Sequence, residues 1–324
     1  MLSGNNLLRS ILLLLVIVNA EAQELYPLSE PASSVPKGVF GLRALSEQYK
    51  DADQLRTMQY IRFMHGVTAR LSVYVTAAFS NHHDRKLSPN LINHIHQGTQ
   101  TNYFTQNTTR GVEYPYLFNG LNLYAKYRFI SHDAQNRHFR MAVYGQWSGV
   151  YTPHDEAEPD LTDDTGGYGH GLITTWLNKR FAASLTIGRI RPDSYFEMQP
   201  DRTGGPDLAT RITYPRTTAW SLSFGYLLYP KSYTSYDEPN WNLYLEFLGK
   251  SFGAAKIVQG NSVVVNTNAA LAEGSYVSIH PGIQKIIRSN TRIEFTAGFD
   301  FIGRSYAQIN PQWSLAVQRY FFRS

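Results

Sequence analysis

The sequence has 324 residues, no cysteine, 17% charged residues, 14% aromatics with 22 tyrosines, and a net charge of +5. Globular chains carry about 25% charged residues, yet the mean hydropathy here is only -0.32. This excludes a polytopic helical membrane protein, which needs several apolar runs of about 20 residues, a disordered chain and all cysteine-based chemistry, leaving a soluble β protein or a membrane β-barrel.

The chain opens with a secretory pattern. Arg9 precedes the apolar run Leu12–Val18, which leads into Ala20-Glu21-Ala22. A basic start, a short apolar stretch and an A-x-A site are the parts of a signal peptide. Residues 1–22 are therefore expected to be removed, leaving a mature chain that begins at Gln23. Residues 23–37 carry Pro27, Pro31 and Pro36 and read as an extended periplasmic lead-in. Residues 38–324 form the third unit.

From residue 38 onward the apolar period is two. In Leu121–Phe129, one face carries Leu121, Leu123, Ala125, Tyr127 and Phe129, and the other Asn122, Tyr124, Lys126 and Arg128. That alternation marks a strand with one apolar and one polar face. Twelve strands are expected near 38–49, 57–66, 70–80, 119–130, 138–151, 167–178, 181–190, 216–229, 240–250, 273–287, 290–302 and 312–322. Most exceed the 5–6 residues usual in soluble proteins and suit tilted membrane strands of about 9–11 residues.

Connection lengths support the same reading. Short gaps (66–70, 131–137, 178–180, 230–239, 288–289) alternate with long ones (81–118, 152–166, 191–215, 251–273), as do the periplasmic turns and extracellular loops of outer-membrane barrels. Trp147, Trp176, Trp220, Trp241 and Trp313 lie near strand ends, where aromatic girdles form. The last strand ends on Phe321-Phe322, which resembles a bacterial outer-membrane assembly signal. The expected fold is all-β, a single antiparallel transmembrane barrel of about 12 strands in the outer membrane, with both termini in the periplasm.

In such a barrel the polar alternates face the lumen. These are Tyr124, Lys126, Arg128, Arg140, Tyr144, Gln146, Tyr244, Glu246, Ser278, His280, Gln284, Arg292, Glu294, Thr296 and Asp300. They suit a polar path or cavity for small solutes, or a plugged lumen in which buried charges pair. No basic run indicates nucleic acid. The positive charge is expected to face anionic lipid and lipopolysaccharide.

Histidine clusters in one long loop as His82, His83, His94 and His96. Imidazoles at this density are candidate ligands for a divalent metal, the one cofactor the sequence suggests. The loop with Asp155, Glu156, Asp160, Asp163 and Asp164 lacks calcium-loop spacing and is expected to be solvated. Gly166–Gly171 opens a strand and reads as a bend or bulge. No G-x-S-x-G, H-E-x-x-H or phosphate-binding loop occurs, so no catalytic residue is assigned, although a lipid-modifying barrel with dispersed residues stays open.

The segments Glu24–Ser33, Tyr124–Phe129 and Arg137–Ala142 resemble a group of Bacteroidetes-type outer-membrane proteins without an assigned activity. More distantly, His280-Pro281-Gly282-Ile283-Gln284 is similar to a strand of the MetA-pathway-of-phenol-degradation, or transporter-like, barrels. That resemblance implies movement of small molecules across the outer membrane. The functional expectation is a channel or transporter for small solutes. The alternative is a non-transporting surface protein whose long loops bind a partner or metal.

Overall fold

In the computed structural model, residues 26–82, 113–150, 152, 156–199, 205–230, 238–264, 269–307 and 309–322 are described. Sixteen strands follow in order: β1 (Phe40–Asp51), β2 (Gln54–Gly66), β3 (Leu71–Ser80), β4 (Leu117–Ala134), β5 (Arg137–Ser148), β6 (Gly167–Asn178), β7 (Phe181–Pro192), β8 (Tyr195–Gln199), β9 (Leu208–Thr213), β10 (Thr217–Tyr229), β11 (Asn240–Phe252), β12 (Lys256–Gln259), β13 (Ser262–Val264), β14 (Gly274–Ile287), β15 (Thr291–Ile302) and β16 (Gln312–Phe321). Twelve close into one barrel in the order β1-β16-β15-β14-β11-β10-β7-β6-β5-β4-β3-β2, and every pair is antiparallel. These are the twelve strands expected from the alternation.

Each wall strand presents its apolar alternates outward. β16 alternates between buried and exposed at every residue. Phe63, Leu121, Trp147, Ile187, Leu243 and Leu315 point away from the barrel, 43–60% exposed, while Lys126, Arg140, Glu246 and Gln284 are at most 1% exposed inside it. A soluble barrel has the opposite polarity, because apolar surface left in water costs about 25 cal/mol per Å². An apolar exterior around a charged interior is stable where the outer solvent is hydrocarbon.

The barrel ends differ. One end carries the turns 67–70, 135–136 and 179–180, the connections 230–239 and 288–290, and both ends of the barrel chain. The other carries the loops between β3 and β4, β5 and β6, β7 and β10, and β11 and β14. Two of these long loops contribute a second sheet of order β13-β12-β9-β8. Its apolar core joins Tyr195, Ile212 and Ile257 to Phe252 and Tyr276 of the wall. This sheet leaves no alternation to read in the sequence, because its strands are only 3–6 residues long.

The glycine stretch opening β6 makes no bulge: its register with β5 and β7 is continuous. The glycines clear room for lumen side chains instead. A Cβ on Gly171 would lie 2.6 Å from the Tyr144 ring, one on Gly169 2.8 Å from Gln146, and one on Gly188 2.1 Å from the Tyr144 hydroxyl.

Candidate functional site: a lumen occupied from both ends

Within the segment expected as a periplasmic lead-in, residues 26–35 lie inside the barrel at the short-turn end, and Pro36 and Lys37 are exposed. The segment crosses the lumen against eight wall strands, and Gly38 N then donates to Gly66 O at 2.7 Å as the chain enters β1. Val35 N donates to Ser72 Oγ at 2.9 Å and Ala32 N to Thr175 Oγ1 at 2.8 Å. Arg140 Nη1 donates to Ser33 Oγ at 2.9 Å. The Glu246 carboxylate accepts from Leu28 N at 2.8 Å and Ser29 N at 2.9 Å, while Ser29 and Ser223 share a 2.7 Å hydroxyl contact. Arg43 donates to the Pro27 carbonyl. Tyr26 ends the described path, 1% exposed and edge-on to Tyr244. The three prolines hold the segment extended and remove three N–H groups that burial would otherwise require to be paired.

Glu30 sits at the centre of this crossing. Its carboxylate meets Arg62 Nη1 at 2.8 Å and Lys126 Nζ at 3.3 Å, and Lys126 also donates to Pro31 O at 2.6 Å. Burial alone would push the Glu30 carboxyl up. The combined attraction of Lys126, Arg62, Arg43 and Arg292 outweighs it and holds the group below the ordinary carboxylate value. Behind this pair, Glu294 lies 2.8 Å from Arg43 and 3.3 Å from Arg292. A cavity of about 20 Å³ remains beside Tyr26, Glu30, Lys126, Arg292 and Tyr320, room for about one water molecule.

The acidic loop fills the opposite half of the lumen. The sequence reading left it in solvent, but Glu156, Glu158, Asp163 and Asp164 are 0–4% exposed. Glu158 accepts from Tyr276 Oη at 2.6 Å, Ser305 Oγ at 2.7 Å and Lys250 Nζ at 3.1 Å. Across the barrel, Asn122 donates to Leu161 O at 3.1 Å and Asn119 to Asp163 Oδ1 at 2.9 Å. These inward-facing wall groups need partners in a low-dielectric interior, and the loop supplies them.

The remaining expected lumen residues divide by position. Tyr124 and Tyr144 form a stacked row with Tyr74, with ring centroids 5.3 Å apart at each step. Tyr244 and Asn242 both donate to Gln284 Oε1, and Gln284 donates to Glu294 at 2.5 Å. His280 bonds Ser278 at 2.8 Å. Gln146 lies half-buried on β5. Arg128 stands at the short-turn rim and donates to Ala69 O at 3.0 Å. Asp300 pairs in register with the inward-facing Ser278 and stands at the long-loop mouth of the lumen, where it is 41% exposed and accepts from Asn310 at 2.6 Å.

Of the four histidines, His83, His94 and His96 lie outside the described residues. His82 Nδ1 is 3.0 Å from Asp163 Oδ2. With Asp164, these two place three possible ligand atoms within 4.8 Å of one another. The structure thus joins His82 to the acidic loop, a pairing hidden by 81 residues of separation.

No family model and no curated protein matches this chain. Solved structures do match in fold. An outer-membrane channel of Pseudomonas putida F1 aligns with a TM-score of 0.56 at 10% identity, covering 92% of this chain and 100% of its own. The NanC porin aligns at 0.41 and 9% identity, with 88% and 100% covered, and the β domain of the Bordetella autotransporter BrkA at 0.39 and 11%, with 88% and 98% covered. At these identities the likeness is one of fold: the chain is built as an outer-membrane β-barrel.

Proposed function

We propose that this protein is an outer-membrane channel for small solutes whose described form is closed, with the short-turn end in the periplasm. One observation carries the reading. Four charged groups of the lumen wall find partners on two segments that are not part of the wall. Arg62, Lys126 and Glu246 bond residues 28–31, and Lys250 bonds residues 158–160. A barrel closed for good can fill its interior with wall-to-wall pairs, as 8-stranded barrels do with side chains. Here, withdrawal of residues 26–37 and of the acidic loop leaves a hydrophilic wall to line a path for water and solutes. The distant likeness to transporter-like barrels agrees with this direction. Purified, folded protein in a planar bilayer is expected to give discrete, solute-sensitive conductance steps. A bilayer that stays sealed with folded protein inserted contradicts the proposal.

A second reading is favoured by the sheet at the long-loop end, where Phe196, Met198 and Val263 are 49–74% exposed. They flank Arg211 and Val258 from the two edge strands, and exposed apolar side chains on a sheet suit contact with a partner, so the long loops would serve recognition while the lumen stays shut. Replacing all three by Ser then abolishes partner binding and leaves conductance absent throughout.

A further inference from the structure

The cations around Glu30 outnumber the carboxylates they pair with. Among the described residues, the ion pairs of Arg43, Arg62, Lys126 and Arg292 draw on two carboxylates, Glu30 and Glu294, so four cations share two paired anions. Glu294 takes up Arg43 and Arg292, which leaves Glu30 to Arg62 and Lys126. Even then Arg43 Nε and Arg292 Nη1 have no hydrogen-bond acceptor among the described residues, although both side chains are more than nine-tenths buried. The 20 Å³ cavity is lined by Arg292, Lys126 and Glu30, with Tyr74 beside them. Guanidinium forks and an ammonium at this density form an anion-binding site. Its present occupant is a carboxylate on a two-carbon stem carried by a segment outside the wall.

We propose that Arg62 and Lys126, backed by Arg43 and Arg292, form a binding site for the carboxylate of a small organic anion, and that Glu30 occupies it as an internal stand-in. The site rests on the channel reading, because Glu30 leaves it only when residues 26–37 move. Solute binding and opening are then one event. An anion that takes the place of Glu30 removes the central anchor of the segment, and its differential affinity for the vacated site shifts the equilibrium toward the open form. Tyr74 lies over the same ground, with its ring 5.9 Å from Arg62 and 5.7 Å from Lys126. The hydrocarbon part of the anion would rest there.

Propionate, the free counterpart of the Glu30 side chain, is the probe, and propionamide its uncharged match. In the full-length protein in detergent, saturating propionate is expected to speed hydrogen exchange at the amides of Leu28, Ser29 and Ala32 at least fivefold, and propionamide to leave it unchanged. Calorimetry is expected to show propionate binding at least tenfold tighter in Glu30→Gln, where the stand-in charge is gone, and lost in Arg62→Met/Lys126→Met. Exchange unchanged by propionate, or equal acceleration by propionamide, overturns the proposal. So does inorganic phosphate acting where propionate does not. The exchange arm uses unaltered protein and holds even if a variant fails to fold. Propionate binding without any conductance would leave the site standing and remove the channel, whereas conductance indifferent to propionate would do the reverse.

Discussion

Replacing Glu30 with Ala removes the only carboxylate that the inner segment offers to the wall cations described above. Its magnitude follows from the geometry. A fully exposed ion pair contributes less than about 1 kcal/mol, whereas stranding one member of a fully buried pair costs about 3–5 kcal/mol. Glu30 and Arg62 are each 25% exposed and Lys126 only 1%, which places the loss between those limits, at about 2 kcal/mol. At about 1.4 kcal/mol per factor of ten, docking of residues 26–37 weakens roughly 30-fold. Hydrogen exchange reads this directly, because the amides of Leu28, Ser29, Ala32 and Val35 all donate to wall side chains. These four should exchange roughly 30-fold faster in Glu30→Ala, while the β16 amides keep their protection. Unchanged protection at the four amides in a folded variant would refute the assignment of Glu30 as anchor. Loss of protection throughout the barrel would refute the claim that the segment undocks independently.

Acid should open the same latch. Because the Glu30 carboxyl is held below its ordinary value, its contribution to docking is full above the free glutamate value of about 4.3 and is lost as pH falls through the lowered one. Conductance should therefore be flat from pH 7 to 5 and rise below about pH 4, and Glu30→Ala should blunt that rise. At the other end, Lys250→Met strips one partner from Glu158, which is 0% exposed. With two hydroxyl donors left, about 3 kcal/mol of loop stability should be lost, seen as faster proteolysis within residues 156–165 at unchanged barrel assembly. Gly188→Ala puts a Cβ 2.1 Å from the Tyr144 hydroxyl, an overpacking of about 1–3 kcal/mol. Urea unfolding should show that loss, and Tyr144→Leu should recover most of it.

The barrel was legible because a strand with lipid on one side and polar interior on the other must alternate, and Leu121–Phe129 does so without a break until the irregularity near Ile130. The inward identity of Lys126, Arg140, Glu246, Gln284 and Arg292 followed from the same rule. Asp300 follows it too, paired with the inward-facing Ser278, although its place near the end of β15 leaves it 41% exposed. The occupants of the lumen were harder to read. Residues 26–37 have no period, and their partners are scattered over strands as far apart as β1 and β11. One signal was available. The inward set held more cations than carboxylates, so a buried wall needed an anion from elsewhere, and Glu30 is the acidic residue on the one extended segment beside it. Glu158 was hidden for the converse reason: loop acids ordinarily face water, and nothing local shows that Lys250, Tyr276 and Ser305 converge on it.

The chain lacks cysteine, so a single engineered disulfide can lock the latch. Ser29 Oγ and Ser223 Oγ lie 2.7 Å apart, and Ser29→Cys/Ser223→Cys should crosslink residues 26–37 to β10. The decisive measurement is the bilayer conductance of this variant, oxidised and then reduced. The barrel should be held closed when oxidised, with the conductance of the unaltered protein restored on reduction. Equal conductance in both states, with the crosslink confirmed by mass, would contradict it.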